Sequence, residues 1–185
     1  MARGQVRIIG GEWRGRKLLV PNIPDLRPTP DRVRETLFNW LAPLINGAYC
    51  LDAFAGTGIL GFEALSRGAL QVVMVDQSPI VTKCLIEESQ LLKTESRIEI
   101  YCAKLPEQLK KSMKPFNIVF LDPPSQANLL LPCCFYLEEN QLLAHDAFIY
   151  LESNRAIEPQ ELPPNWELVK SKKAGDVHYH LARRD

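Results

Sequence analysis

Three consecutive residues, Asp122-Pro123-Pro124, form a dense group of hydrogen-bond acceptors. Prolines lack a backbone N–H and hold an extended turn, so the available groups are the Asp122 carboxylate and the Pro123 carbonyl. Such acceptors can grip the exocyclic NH2 group of a nucleobase, whose lone pair is delocalised into the ring. Accepting both hydrogens localises the lone pair and directs it at an electrophilic methyl group. We therefore predict that Asp122, Pro123 and Pro124 are catalytic.

A glycine-containing segment lies where a predicted strand turns into a helix. It reads Asp52-Ala53-Phe54-Ala55-Gly56-Thr57-Gly58. Glycines let a ligand approach the backbone closely, and a helix N-terminus offers unpaired N–H groups. Asp76 follows at the end of the next strand, where a carboxylate can accept hydrogen bonds from both hydroxyls of an adenosine ribose. The segment, together with Asp76 and Gln77, predicts a cofactor-binding site.

The same glycines also fit a dinucleotide-binding pattern. Gly56, Gly58 and Gly61 have the G-x-G-x-x-G spacing, and an acid follows at the expected distance. This alternative is an NAD-dependent oxidoreductase. Asp52 argues against it, because a carboxylate repels a pyrophosphate and attracts the ammonium of a methionine moiety. An oxidoreductase also has no use for Asp122-Pro123-Pro124.

The elements that must position these residues alternate between strand and helix from residue 48 onward. Short apolar runs predict strands at Tyr49–Phe54, Val72–Val75, Ile98–Tyr101, Ile118–Leu121 and Phe148–Leu151, with helices over 59–66, 79–92 and 128–139. A closing antiparallel hairpin is predicted at Trp166–Lys172 and Val177–Ala182. The fold class is therefore α/β, a Rossmann-like, seven-stranded, mostly parallel sheet. We predict a single domain over residues 1–185, with an N-terminal extension at 1–47 and a core at 48–185.

The N-terminal extension is basic although the whole chain is neutral, with 22 Lys+Arg against 22 Asp+Glu. Short strands at 6–10 and 16–20 predict a small hairpin, whose Arg14, Arg16 and Lys17 could contact an anionic partner. A helix is predicted to begin after Thr29, with Thr29 as its cap and Pro30 in its first position. Arg32 and Arg34 lie two apart on this helix and therefore point in different directions.

Composition excludes several other classes. No apolar run is long enough to cross a bilayer and the N-terminus lacks an apolar signal core, so a cytoplasmic protein is expected. The five cysteines are odd in number and none has C-x-x-C spacing, which argues against a disulfide framework or a zinc site. Asp176, His178 and His180 alternate on a predicted edge strand, but no fourth ligand is evident. We predict no metal.

With these motifs the chain resembles the bacterial ribosomal RNA small subunit methyltransferase D family, class I enzymes that use S-adenosylmethionine. The resemblance covers nearly the whole chain. Its most specific parts are residues 7–17, RIIGGEWRGRK, and 26–41, LRPTPDRVRETLFNWL. It implies methylation of a guanine N2 of the guanine-966 type in 16S ribosomal RNA. The implied substrate is a small ribosomal subunit, or its assembly intermediate, that already carries proteins.

The resemblance also assigns roles to residues. It implies that Asp52 to Gly58 wrap the methionine part of the cofactor, that Asp76 binds the ribose and that Ala103 lies near the adenine. Arg14, Arg16 and Lys17 would clamp phosphates around the target nucleotide, with Trp13 available for stacking. Of Arg32 and Arg34, one would face RNA and the other the cofactor carboxylate, and we assign Arg32 to RNA.

One position departs from the family pattern. Ser125 replaces the aromatic residue that stacks on the target base. Phe135 or Tyr136 could fill that place, the hydroxyl could contact the base, or the chain could be a weakened, RNA-binding homologue. An adenine N6 target is chemically equivalent for the Asp-Pro-Pro motif, and only the resemblance favours guanine.

Overall fold

The computed structural model describes residues 4–185, so Arg3, which contributes to the basic N-terminus, lies outside the described residues. The chain forms two compact units, which meet in sequence between Ala103 and Lys104. Seven strands belong to a mixed sheet, and a separate two-stranded hairpin precedes them in the chain. The predicted α/β class, seven-stranded sheet and N-terminal hairpin are confirmed. The single domain stays a prediction.

The N-terminal unit contains three parallel strands, which neighbour each other in the order β5 (Ile98–Cys102), β4 (Gln71–Asp76) and β3 (Tyr49–Asp52). Its antiparallel hairpin pairs Val6 with Leu18, and both side chains are buried. The elements of the unit are β1 (Gln5–Arg7), β2 (Lys17–Leu19), α1 (Asp31–Leu41), β3 (Tyr49–Asp52), α2 (Ile59–Ser66), β4 (Gln71–Asp76), α3 (Pro79–Leu91) and β5 (Ile98–Cys102).

The helices of this unit form for different local reasons. Every residue of α2 is buried, as its almost wholly apolar sequence predicts. Ser78 caps α3, because its hydroxyl accepts the Val81 N–H, and Pro79 occupies the first helical position. The predicted cap of α1 is wrong by one residue. Pro30 is its N-cap and no side chain caps it, while Thr29 is buried and its carbonyl accepts a hydrogen bond from Arg34 Nε.

The C-terminal unit has four strands, in the order β6 (Phe116–Leu121), β7 (Leu143–Ser153), β9 (Val177–Arg184) and β8 (Trp166–Ala174). β6 runs parallel to β7, and β9 is antiparallel to both of its neighbours, so the predicted C-terminal hairpin is confirmed. Its elements are β6 (Phe116–Leu121), α4 (Leu130–Glu139), β7 (Leu143–Ser153), a short 3-10 helix (Pro159–Glu161), β8 (Trp166–Ala174) and β9 (Val177–Arg184).

Strand β7 begins five residues before the predicted start at Phe148. Exposed polar residues, His145 and Asp146, interrupt the apolar pattern there, and Asp146 has a positive φ of 59°. The pairing with β6 is irregular at the same place, because Phe116 pairs with Leu143 but Ile118 pairs with Phe148, which leaves extra residues on β7. Within residues 4–185, no helix combines the length and the apolar character needed to span a membrane.

Candidate active site

The glycine loop between β3 and α2 has a backbone that only glycine adopts easily. Gly56 and Gly58 have φ values of 53° and 75°. A Cβ atom on Gly58 would lie 2.5 Å from the Leu85 side chain and 2.8 Å from the Phe62 ring. At Gly56 the nearest atom to such a Cβ would be Leu26 Cδ1, at 3.0 Å. The loop is therefore a tight turn with close neighbours on its inner side.

Asp52 caps the N-terminus of α2 from outside the helix. Its Oδ2 accepts the Gly61 N–H at 3.0 Å, and the Thr57 hydroxyl accepts the Ile59 N–H at 3.4 Å. A pyrophosphate at this helix end would need these N–H groups and would meet the charge of Asp52. The arrangement disfavours a dinucleotide and suits a cofactor with a cationic group.

Burial makes the ionised form of Asp52 costly. The residue is only 3% exposed. Loss of solvation raises the pKa of Asp52 to about 7; the Gly61 N–H opposes this shift and the charge of Asp76 adds to it. An ammonium group brought next to Asp52 would favour its ionised form.

Asp76 joins the loops that follow three neighbouring strands. Its Oδ2 accepts the Gly56 N–H at 3.0 Å, its Oδ1 accepts the Ser78 N–H at 2.9 Å, and its backbone carbonyl accepts the Ala103 N–H at 3.0 Å. Each carboxylate oxygen can accept a second hydrogen bond, so Asp76 can still receive ribose hydroxyls.

The structure thus brings Asp52, Gly56, Gly58, Asp76 and Ala103 together at the carboxyl ends of β3, β4 and β5. The remaining predicted cofactor residues are buried or half-buried in the same loop (Ala53, Phe54, Ala55, Thr57) or exposed beside Asp76 (Gln77).

In the C-terminal unit, the Asp-Pro-Pro motif directly follows β6. Asp122 and Pro123 are half-buried, whereas Pro124 and Ser125 are exposed. The Pro124 carbonyl accepts the Ala127 N–H at 2.9 Å, which turns the chain toward α4. The structure therefore presents the motif as a turn at the carboxyl end of a strand, where ligands bind in open α/β sheets.

Two residues that the sequence analysis missed lie beside this motif. The Tyr150 hydroxyl donates to Glu152 Oε2 at 2.8 Å. Burial raises the pKa of Tyr150 well above its ordinary value, and the charges of Glu152 and Asp122 contribute. Burial also raises the pKa of Glu152. The alternation Tyr-Leu-Glu at the end of a buried strand could have identified them.

A buried carboxylate anchors the N-terminal hairpin to α2. Glu63 accepts the backbone N–H groups of Ile9 and Gly10 at 3.0 and 2.8 Å. It also pairs with Arg34 at 3.3 Å and Arg67 at 2.9 Å. Arg34 is fully buried and also pairs with Asp31. The prediction that Arg34 could face RNA or the cofactor is therefore wrong, while Arg32 is exposed.

The exposed cations Arg14, Arg16 and Lys17 lie at the far end of α2 from the glycine loop. The hairpin backbone meets the last turn of α2, where the Glu12 N–H donates to the Ser66 carbonyl, and Arg16 reaches the Leu91 carbonyl at 3.5 Å. Eight helical residues span about 12 Å. The hairpin backbone next to these cations therefore lies about one length of α2 from the glycine loop, and their contact with RNA stays a prediction.

Trp13 is half-buried, and its ring faces the Arg97 guanidinium with 5.9 Å between Cζ and the ring centroid. This packing holds the hairpin in place and occupies one face of the ring, so the predicted availability of Trp13 for stacking is limited.

Among residues 4–185, no cluster of three or more His, Cys, Asp or Glu side chains is arranged to hold a metal ion. Within the Asp176-x-His178-x-His180 pattern, His180 is buried, and its Nδ1 lies 2.7 Å from the Ser171 hydroxyl. Burial lowers the pKa of His180.

Known proteins are similar to this chain over nearly its whole length. The family model described as Conserved hypothetical protein 95 matches residues 6–183. The ribosomal RNA small subunit methyltransferase D of Escherichia coli K12 is 48% identical over 182 residues, which cover 98% of this chain and 91% of that protein. Its Haemophilus influenzae namesake is 46% identical over 183 residues, covering 97% and 94%. A solved Escherichia coli structure, yhhF, named as a candidate methyltransferase, has a TM-score of 0.87 at 47% identity, covering 98% and 99%.

Proposed function

This chain belongs to the ribosomal RNA small subunit methyltransferase D family, and on that premise we propose that it methylates the N2 amine of a guanine in 16S ribosomal RNA with S-adenosylmethionine. The relatives' names support methylation of small-subunit ribosomal RNA. The guanine, its N2 atom and the 966-type position are the finer parts of the proposal.

The observation that carries the proposed reaction class is the Asp52 contact with the N-terminus of α2. S-adenosylmethionine has an ammonium and a sulfonium, both of which a buried carboxylate attracts, and no phosphate. Asp76 supplies acceptors for the ribose, and Ala103 provides an apolar contact for the adenine. An NAD-dependent oxidoreductase would require a pyrophosphate at this helix end, where Asp52 already accepts the hydrogen bond of the Gly61 N–H.

The catalytic step follows from the acceptors after β6. When bound, S-adenosylmethionine supplies a methyl group on a positively charged sulfur. The Asp122 carboxylate and the Pro123 carbonyl accept the two N–H groups of the guanine amine, which aims the nitrogen lone pair at that methyl carbon. The methyl group would pass from the sulfur to this nitrogen, and the cofactor would leave as neutral S-adenosylhomocysteine. The nitrogen becomes acidic as it gains positive charge, so its proton passes to Asp122 or to water without a strong base.

The proposed partner is tested by comparing naked RNA with assembled small subunits. Labelled S-adenosylmethionine would be incubated with the protein and either naked 16S ribosomal RNA or small subunits from cells that lack this modification. We expect label in RNA from the subunits and much less in naked RNA. Equal labelling of both would contradict the requirement for bound ribosomal proteins.

Cofactor binding should depend on pH through Asp52. Its pKa of about 7 means that the carboxyl is mostly protonated below pH 7, and an ammonium binds the ionised form better. Affinity for S-adenosylhomocysteine should therefore rise with pH up to about 7, by at most about tenfold per pH unit because one proton is released, and level off above. Calorimetric titration from pH 5.5 to 8.5 measures this. In the Asp52→Asn control the profile should be flat; a flat profile in the unmodified protein would contradict the assignment.

RNA binding should depend on the hairpin cations. Exposed Arg14, Arg16 and Lys17 release counterions for each phosphate they contact. Replacing all three by Ala should lower the slope of log affinity against log salt by about 0.7–0.9 for each true contact. A matched control replaces the exposed Lys110, Lys111 and Lys114, which precede β6 at the end opposite Asp122. An unchanged slope in the hairpin variant, or equal changes in both variants, would count against the contact.

Ser125 should limit capture of the target base. Base–aromatic stacking is worth roughly 1–3 kcal/mol, which at 1.4 kcal/mol per factor of ten is about 5- to 150-fold. Since Ser125 is exposed in the turn after Pro124, Ser125→Phe should raise kcat/KM within that range. Ser125→Leu is the apolar, non-aromatic control. Equal rates in all three proteins would mean that another group, such as Phe135, already stacks on the base.

A further inference from the structure

The strand beside the Asp-Pro-Pro motif carries a carboxylate level with Asp122. Phe120 pairs with Tyr150 and Leu121 with Leu151 in the parallel register of β6 and β7. One residue further, this register brings Asp122 level with Glu152. Because side chains alternate along a strand, Phe120 shares its face with Tyr150, and the same alternation continued one residue past the end of β6 places Asp122 on that face with Glu152. The rings of Phe120 and Tyr150 meet edge to face, with centroids 6.5 Å apart.

The Glu152 carboxylate is held in one orientation. Its Oε2 accepts the Tyr150 hydroxyl at 2.8 Å, and Tyr150 is fully buried. Glu152 itself is half-buried, one residue before the end of β7, and it pairs with Tyr179 on β9. With one oxygen committed to Tyr150, the other carboxylate oxygen is a fixed acceptor next to the turn that contains Asp122.

A guanine presents three donor hydrogens along one edge, two on N2 and one on N1. In the proposed function, Asp122 and Pro123 accept the two on N2, which leaves the N1–H in need of an acceptor. An adenine has an unprotonated N1, which is itself a hydrogen-bond acceptor. A carboxylate facing it would repel it. A site that hydrogen-bonds a particular donor of its substrate rejects analogues that lack this donor, because the buried acceptor of the site is then left unpaired.

We infer that Glu152 accepts the N1–H of the target guanine and, with Tyr150 as its positioning residue, selects guanine over bases that lack this hydrogen. The inference rests on the proposed function. It accounts for a carboxylate kept partly out of water at the end of β7, where burying a charge is costly unless it is paired.

The test compares guanine with 2-aminopurine, which keeps the exocyclic amine but has an unprotonated N1. Small subunits would be assembled with either base at the target position. The unmodified enzyme should prefer guanine by about 10- to 150-fold, the size of one lost hydrogen bond to a charged group. Glu152→Gln should bring this ratio close to one, because the amide can donate to the N1 of 2-aminopurine. Tyr150→Phe removes the hydroxyl that orients the Glu152 carboxylate but leaves the carboxylate itself in place. This variant should therefore reduce the ratio only in part.

The outcomes separate this inference from the proposed function. If Glu152→Gln lowers both rates together and leaves the ratio unchanged, Glu152 has only a structural role and the inference is wrong. If the unmodified enzyme methylates neither base although it binds S-adenosylhomocysteine, the proposed guanine N2 function itself fails. Thermal unfolding of each variant identifies losses that come from misfolding.

Discussion

Asp122→Ala should lower kcat for methyl transfer by about 100- to 1000-fold, the scale found when one preorganised hydrogen bond to a developing charge is removed. The target nitrogen becomes cationic during transfer, so a carboxylate that accepts its hydrogen binds the transition state more strongly than the substrate. The loss should therefore appear in kcat more than in KM. Rates would be measured with labelled S-adenosylmethionine and unmethylated small subunits.

Two controls make this prediction specific. Asp122→Asn keeps an oxygen acceptor of the same size and should lose less activity than Asp122→Ala. Binding of S-adenosylhomocysteine should be the same in both variants, since the cofactor residues lie in the loops after β3, β4 and β5. Full activity of Asp122→Ala would show that this carboxylate does not hold the amine.

Glu63→Gln should destabilise the protein by about 3–5 kcal/mol, the cost of breaking a buried ion pair on one side. Glu63 and Arg34 have fully buried side chains, so the substitution leaves the Arg34 charge without its buried partner. It also weakens the acceptor for the Ile9 and Gly10 N–H groups. At about 2–4 °C per kcal/mol for a chain of this size, the Tm should fall by about 6–20 °C.

The matched control for Glu63 is an exposed ion pair. Arg155 pairs with Glu161 on the surface of the C-terminal unit, and Arg155→Ala should shift the Tm far less, because solvent screens exposed pairs. Limited proteolysis should cut the Glu63→Gln variant first in the hairpin around Gly10, which Glu63 anchors. Equal Tm shifts in the two variants would contradict the anchoring role.

Much of the fold could be predicted from local sequence. The apolar helix α2, the start of α3 at Pro79 and the glycines of the loop are determined by neighbouring residues, and each was predicted. The contact between Gly56 and Asp76 could be predicted too, because the carboxyl ends of adjacent parallel strands meet at one edge of a sheet.

Other features depend on contacts between distant residues, which spacing does not reveal. Arg34 was expected to face RNA or the cofactor carboxylate, yet Glu63, 29 residues away, pairs with it inside the protein. A charged residue within the apolar α2 was a signal that a buried partner exists, but not which one. The early start of β7 and the position of Glu152 level with Asp122 likewise follow from strand register, which only the structure shows.

The most direct test of the central claim is identification of the methylated nucleoside. Small subunits from cells that lack the modification would be incubated with the protein and labelled S-adenosylmethionine, and the 16S ribosomal RNA digested to nucleosides. We expect the label as N2-methylguanosine. Label in N6-methyladenosine would contradict the guanine assignment while keeping the reaction class, and no label with intact S-adenosylhomocysteine binding would contradict the proposed substrate.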